Sequence, residues 1–319
     1  MPAGQVQLYS DQGNVNLAQG ATLELSAATQ QGSSRLGDAG DLEVRASNGH
    51  FDWSGEIRAL SGKDAKGGDF SLDVATFGVG GLTGLTDALV KGGFDQSLTL
   101  VVRQGDIQLD QGVHLRAQNL ILEASSGRVD LFGTVDASGI TAGKVQILGA
   151  SGVTLEEGSL IDAHALGQGQ MGGTVKLDTV DPATVSDRSG ILNLAANARI
   201  DVSGGAQGAG GVVMLRTGRD DAAGTVAVSE INTQIVGSRD ARLEAVRTYL
   251  NVSTIDAAKI ADFEKDTDAF MAAVKPLADH SGGQIKLTPG LDIRASGDLI
   301  LADNWDFMTQ KISGDGGAA

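Results

Sequence analysis

Apolar and polar residues alternate along most of the chain, in short segments separated by glycine and small polar residues. The segment GTVDASGITAGKVQILGA (residues 133–150) shows the pattern: one alternating stretch, a break at Ser-Gly and Gly-Lys, then a second alternating stretch. Residues 159–179 and 198–217 repeat this arrangement. Alternation of this kind is typical of a strand with one buried face. The chain is therefore predicted to consist of short strands joined by tight corners.

The strand that follows each corner recurs at a loose interval. One apolar residue of each such strand serves as a register mark, and these marks are Leu42, Phe70, Leu98, Leu120, Val145, Val175 and Val213. They are separated by 28, 28, 22, 25, 30 and 38 residues. Each interval is predicted to hold two further short strands, as in residues 153–158 and 159–165. Three strands per repeat, with extra residues confined to one corner, predict an all-β parallel β-helix (a solenoid) as a single domain over residues 1–319.

One interval, between Val213 and Ile285, departs from this pattern. Residues 254–275 do not alternate, and four apolar residues there fall at helical spacing: Ile260, Phe263, Phe270 and Val274. Thr254 can cap such a helix and Pro276 can end it. The sequence predicts a short helical excursion near residues 254–275, the only break in the coil, and a frayed tail at residues 311–319.

Two interpretations of this helix remain open. It either packs on the side or end of the coil, or it binds a partner or a second copy. For the second interpretation, the predicted contact residues are Ile260, Phe263, Phe270 and Met271.

Composition restricts the classes of function. The chain has 46 Gly and 4 Pro among 319 residues, which favours many tight turns, and its net charge of −16 argues against nucleic acid and anionic membranes as partners. Zero cysteines exclude disulfides, thiolate metal sites and cysteine nucleophiles. No apolar segment is long enough to span a membrane, and the start resembles no signal peptide. We therefore expect either a cytosolic protein or, as we prefer, a fragment of a larger secreted one.

Asp136, Asp162 and Asp201 occupy matching places in three successive repeats, and Asp292 is a possible fourth. On stacked turns they would lie about 4.8 Å apart, so their mutual repulsion needs compensation. Three explanations stay open: Asx-turns at the corners, calcium bridging, or a catalytic carboxylate pair. No cofactor is predicted. Calcium at these three residues is the one metal hypothesis, and no known calcium-loop motif in the sequence supports it.

Enzyme activity is not predicted. The broad aromatic faces that line sugar-binding grooves are few and scattered, at Tyr9, Trp53, Tyr249 and Trp305. Residues 139–144 fail as a phosphate loop because they have one residue too few between the glycines, and no Gly-x-Ser-x-Gly elbow occurs. The alternative is nevertheless a polysaccharide-binding or polysaccharide-cleaving β-helix, and a calcium-stabilised matrix scaffold is a third, weaker hypothesis.

Three segments resemble the filamentous-haemagglutinin-like exoproteins of Gram-negative bacteria: GTVDASGITAGKVQILG, ARIDVSGGAQGAGGVVML and LDIRASGDLILADNWDF. The ending Gly-Asp-Leu-x-Leu-x-x-x-Trp (residues 297–305) is similar to their repeat arrays. The resemblance implies a right-handed coil, export through an outer-membrane pore by two-partner secretion, and a role at the cell surface. Members act as adhesins, biofilm components or stalks that present a toxin. No Asn-Pro-Asn-Gly secretion motif and no toxin domain is found, so the chain is expected to be a shaft segment.

The function expected from this resemblance is structural and adhesive. We expect a rigid extracellular rod on the bacterial outer surface that contributes to attachment, biofilm or the presentation of a distal domain. Its expected partners are a host-cell or bacterial receptor or glycan, the secretion pore for the parent chain, and other copies of itself, end to end through exposed terminal strands.

Overall fold

A computed structural model of the protein describes residues 3–29, 35–180, 190–220, 225–280 and 285–305. The predicted tail at residues 311–319 lies outside these ranges. The described part is mostly β, with two helices. In chain order, the elements of the first half are β1 (Gln5–Tyr9), β2 (Val15–Leu17), β3 (Thr22–Glu24), β4 (Asp41–Ala46), β5 (Phe51–Trp53), β6 (Glu56–Arg58), β7 (Asp69–Val74), α1 (Gly81–Gly92), β8 (Ser97–Val102), β9 (Ile107–Leu109), β10 (His114–Arg116), β11 (Asn119–Ala124), β12 (Arg128–Leu131) and β13 (Thr134–Asp136).

The elements of the second half are β14 (Lys144–Gly149), β15 (Gly152–Leu155), β16 (Leu160–Asp162), β17 (Thr174–Asp178), β18 (Ile191–Leu194), β19 (Arg199–Asp201), β20 (Gly211–Asp220), β21 (Thr225–Val226), β22 (Val228–Ile231), β23 (Gln234–Val236), β24 (Ser238–Tyr249), β25 (Thr254–Ile255), α2 (Ala257–His280), β26 (Lys286–Ile293) and β27 (Ile300–Leu301).

One long sheet runs through the whole described chain. Ten of its strands pair in the order β1-β4-β7-β8-β11-β14-β17-β20-β24-β26, all parallel, and β21 adds an antiparallel pair to β20. The predicted register is confirmed, because each mark is the direct partner of the next: Leu42, Phe70, Leu98, Leu120, Val145, Val175 and Val213.

Two shorter parallel sheets, of five strands each, accompany the long sheet. One runs β9-β12-β15-β18-β22 and the other β10-β13-β16-β19-β23, while β2-β5, β3-β6 and β25-β27 form separate pairs. From β8 to β23, consecutive repeats contribute one strand to each of the three sheets, and the chain advances by one strand spacing per repeat. Stacked parallel sheets of this kind are compatible with a parallel β-helix.

The core is a set of aliphatic columns that run from repeat to repeat. In β11, Leu120, Leu122 and Ala124 point inward and are buried, whereas Ile121 and Glu123 point outward. Each buried leucine is stabilised by about 1.5–3 kcal/mol relative to an exposed one. The apolar positions of the alternating sequence pattern are therefore the residues that fill one interior shared by all three sheets.

Glycine is required where the chain turns into the long sheet. Thr174 N donates to Gly143 O at 3.2 Å, and Val212 N donates to Gly173 O at 2.9 Å, so each corner bonds to the one before it. A Cβ on Gly173 would overlap Gly143 O, and a Cβ on Gly211 would overlap Gly173 O. The carbonyl of one repeat thus occupies the place where the next repeat would carry a side chain.

The interval between Phe70 and Leu98 does not hold the two strands predicted for it. It holds α1, which packs between β6 on one side and β9 and β10 on the other. Leu82, Leu85 and Leu89 are its buried face, and Gly93, at φ 83°, ends it in a left-handed conformation. The expectation of a single helical break was wrong for this reason: α1 replaces the two short strands of one repeat while the long sheet continues past it.

The second helix lies where the sequence predicts helix, with different ends. Thr254 belongs to β25, and α2 begins at Ala257, where Asp256 Oδ1 accepts a hydrogen bond from Lys259 N at 2.9 Å and acts as the cap. The helix continues past Pro276 to His280. Within the described part of the chain, neither helix combines the length and apolarity needed to cross a membrane.

Candidate functional site

The three predicted aspartates form a ladder along one short sheet. Asp136 ends β13, Asp162 ends β16 and Asp201 ends β19, and each is the direct partner of the next. Asp292 is not the fourth member, because it lies on β26 in the long sheet opposite Thr248. The matching places in the sequence thus do bring three of the four carboxylates onto neighbouring strands.

Each carboxylate of the ladder accepts a hydrogen bond from the backbone two residues ahead. The bonds run from Ser138 N to Asp136 Oδ1 at 2.8 Å, from His164 N to Asp162 Oδ1 at 3.1 Å, and from Ser203 N to Asp201 Oδ1 at 3.0 Å. These are Asx-turns, which fix the chain direction as it leaves the strand.

Each carboxylate also has a cationic or titratable neighbour. Arg116 Nη1 lies 3.2 Å from Asp136 Oδ2, His164 Nδ1 lies 2.6 Å from Asp162 Oδ1, and Arg199 pairs with Asp201.

Burial would raise the pKa of Asp201, but hydrogen bonds from Ser203 and Arg199 outweigh it and hold that pKa below its usual value. Among the described residues, no three His, Cys, Asp or Glu side chains are grouped so as to hold a metal ion. The protein's own donors therefore supply the compensation that the ladder requires.

The predicted partner-binding residues of α2 face the body of the protein. Ile260 and Phe263 are buried in a small cluster with Ile255. Phe270 is buried in the main core, where the partly buried Met271 packs against it. Because these four side chains contact the protein itself, a partner would have to reach α2 by its opposite face. Binding through α2 stays a prediction.

A partly buried ionic cluster, which sequence reasoning missed, fixes α2 to the long sheet. Asp266 accepts hydrogen bonds from Arg219 Nη1 at 2.9 Å, Arg247 Nη1 at 2.9 Å and Tyr249 Oη at 2.8 Å. The Arg219 guanidinium also lies 4.1 Å from the ring centroid of Phe270. Burial, followed by the hydrogen bond to Asp266, raises the pKa of Tyr249 well above its usual value.

The alternation of β20 carried a signal for this cluster. Val213, Leu215 and Thr217 mark the inward-facing positions of that strand, and Arg219 occupies the next one. A charged residue at an inward position requires a buried partner. What the sequence did not reveal is that the partner lies 47 residues further on, in a helix.

A cleft of about 280 Å³ opens between α1 and β6. Its lining consists of Gly55, Glu56, Ile57, Gly84, Asp87, Ala88 and Lys91. Two carboxylates and one ammonium group thus line a space whose remaining lining is apolar or glycine. This donor and acceptor set suits a polar ligand such as a sugar, and its size is close to the lower limit of small-molecule sites. The cleft was not predicted because α1 was not.

No protein-family profile, curated protein or solved structure matches this chain.

Proposed function

We propose that the chain is a right-handed parallel β-helix that serves as a rigid structural and adhesive segment of a large secreted bacterial surface protein, of the filamentous-haemagglutinin-like kind. The observation that carries this proposal is the long sheet, whose ten parallel strands pair without interruption past both helices. Two further parts of the proposal, export through an outer-membrane pore and location at the bacterial surface, depend on the resemblance of the repeat segments to these exoproteins.

A stack of this kind is suited to act as a spacer. Ten parallel strands at about 4.8 Å each extend over about 43 Å, and every repeat is joined to the next by backbone hydrogen bonds and shared core columns. Ion pairs between repeats support the outer surface: Arg216 lies 3.5 Å from Asp178 and 3.2 Å from Glu244, on the strands before and after it. The absence of cysteine makes the fold independent of the redox conditions outside the cell.

The spacer role is tested by a distance measurement. Gln7 of β1 and Lys286 of β26 lie in one outward column, nine strand spacings apart. Because the chain lacks cysteine, Gln7→Cys and Lys286→Cys can carry a donor and an acceptor dye. We expect a narrow distribution of energy transfer centred near 40 Å (about nine times 4.8 Å) until the protein unfolds cooperatively. A broad or much shorter distribution would contradict a rigid rod.

The adhesive role is tested separately, by binding of the purified chain to a glycan array and to intact host and bacterial cells, with and without calcium. Saturable binding to a glycan or a cell surface is the expected result. A chain that passes the distance test but binds no cell or glycan would be a spacer without adhesive function.

A second function, polysaccharide binding or cleavage, is favoured by the cleft between α1 and β6. If it binds glycans, Asp87→Asn should abolish binding on the array, whereas Asp262→Asn on the exposed side of α2 should leave it unchanged. Release of new reducing ends from a bound polysaccharide would show cleavage. Glycan binding that survives Asp87→Asn would exclude the cleft as the site.

A further inference from the structure

The cleft between α1 and β6 holds one negative and one positive side chain without a protein partner. Asp87 and Lys91 are exposed and lie one turn apart on the face of α1 that lines the cleft. Among the described residues, neither makes an ion pair or a side-chain hydrogen bond, although their spacing would let them pair with each other. The third charged group of the cleft, Glu56, is already bonded to Arg58. Asp87 and Lys91 are therefore the charges that the cleft offers to a ligand.

The backbone of β6 turns one residue toward the same cleft. Glu56 N donates to Ala21 O at 2.9 Å, and Leu25 N donates to Arg58 O at 2.6 Å, so Glu56 and Arg58 face the neighbouring strand β3. Successive residues of a strand present their backbone groups to opposite sides, and Ile57 between them therefore faces α1. Ile57 is 3% exposed and its side chain lies in the core, so its contribution to the cleft lining is its backbone.

The N–H of Ile57 has no acceptor in the part of the chain that the structure describes. Ala59, the next residue of the strand that faces α1, donates from its N to Gly92 O at 2.6 Å, whereas no such bond is made by Ile57. Gly92 covers the carbonyl of Ile57, since a Cβ on Gly92 would lie 2.6 Å from that oxygen. The N–H remains on the side of the cleft. Buried backbone N–H groups are almost always bonded, so this donor indicates a bound polar group.

We propose that the cleft binds a small zwitterion, an α-amino acid or a dipeptide. Its ammonium group contacts Asp87, and its carboxylate accepts from Lys91 and from the N–H of Ile57. A neutral sugar can use the N–H but brings no charge to either side chain, and the net charge of −16 disfavours an anion. The volume of about 280 Å³ restricts the ligand to a small molecule. The inference goes beyond the structural and adhesive role and does not rest on it.

The test is calorimetric titration of the full chain with glycine, alanine and diglycine. We expect saturable binding at one site per chain. Glycinamide lacks the carboxylate and N-acetylglycine lacks the ammonium group, so each should bind about tenfold more weakly or worse, because a charged hydrogen bond is lost. Glycine and diglycine hold their two charges at different separations, so the tighter ligand identifies the source as a free amino acid or a peptide.

Two variants assign the charges of the ligand to the side chains of α1. Asp87→Asn should weaken glycine binding about tenfold or more and remove the preference for glycine over N-acetylglycine. Lys91→Gln should reduce the preference for glycine over glycinamide. The matched controls are Asp262→Asn and Lys259→Gln, which remove the same charges from an ion pair on α2 and should leave binding unchanged. Circular dichroism should show the same fold in all four variants.

Ala88→Leu tests the cleft without a change of charge. Ala88 lines the cleft, so the larger side chain should fill it and abolish binding of glycine. No binding of any zwitterion at millimolar concentration, or binding that persists in both Asp87→Asn and Ala88→Leu, would overturn the proposal. Binding of a neutral oligosaccharide that is lost in Ala88→Leu, without binding of glycine, would also overturn it and would support the glycan function of the cleft.

Discussion

Asp266 of α2 lies 2.9 Å from Arg219 of β20, and the Arg219 side chain is only 1% exposed. A charge buried to this extent is stable only with a partner, and here the helix provides it. The contact joins the one long helix that leaves the coil to the sheet that runs through all the repeats. The packing of α2 on the long sheet therefore buries apolar side chains and also pairs the buried charge of Arg219 on β20.

Asp266→Asn should consequently lower the free energy of unfolding by about 3 kcal/mol, the lower end of the cost of leaving a buried charge unpaired, because Asp266 itself is partly exposed. The measurement is chemical denaturation. Asp262→Asn is the matched control: Asp262 pairs with Lys259 on the solvent side of the same helix, and its loss should cost less than about 1 kcal/mol. Equal effects of the two variants would contradict the ion pair between Asp266 and the buried Arg219.

Tyr249 donates its hydroxyl proton to the same carboxylate, so its ionisation should couple to stability at alkaline pH. Its pKa in the folded protein is raised, which means that the unfolded chain loses the proton first. The contribution of Tyr249 to the free energy of unfolding is fully present below about pH 10, the usual tyrosine pKa. It is lost as the pH rises through the folded-state pKa. Tyr249→Phe should remove this part of the alkaline loss of stability.

The pKa itself can be read from phenolate absorbance. The chain has two tyrosines, so in the Tyr9→Phe background the signal belongs to Tyr249 alone. Titration at the usual tyrosine value in the folded protein would show that the hydrogen bond to Asp266 does not hold in solution.

The register of the long sheet was predictable because one physical rule fixes it. Leu98, Leu120 and Val145 are inward residues of strands that share a core, and a shift by one residue would turn every apolar side chain outward. The positions of the ladder aspartates follow from the same repetition, since a residue at a fixed place in the repeat stacks on its equivalent. Local pattern and tertiary structure agree at these residues.

The helix α1 and the Arg219 contact were not predictable in the same way. Leu82, Leu85 and Leu89 do have helical spacing, but Gly81 and Gly84 weaken helix propensity, so the segment reads as another glycine-rich corner. The partner of Arg219 is set by how α2 lies on the coil, which no local pattern encodes. The cleft beside α1 was missed with it, because a groove between two elements cannot be inferred when one of them is not recognised.

Each aspartate of the ladder is expected to stabilise the fold through the hydrogen bond of its Asx-turn. Asp162→Asn keeps an oxygen that can accept from His164 N, whereas Asp162→Ala removes it, so the alanine variant should be less stable by about 1 kcal/mol, the net value of one hydrogen bond. Thermal unfolding of both variants, with and without calcium, separates the open hypotheses. If calcium stabilised the unmodified chain and neither variant, the ladder would be a cation site after all.

The corner glycines should be the least replaceable residues of the coil, because backbone from the preceding repeat occupies the space where a side chain would stand. Gly173→Ala places a Cβ against the carbonyl oxygens of Gly143 and Ala163, and backbone cannot move aside as a side chain can. The expected cost is about 1–3 kcal/mol or more, measured by denaturation. Gly297→Ala is the control, since a Cβ there meets nothing within 4 Å. If Gly173→Ala were as stable as Gly297→Ala, the repeats could not be stacked as closely as the hydrogen bond from Thr174 to Gly143 requires.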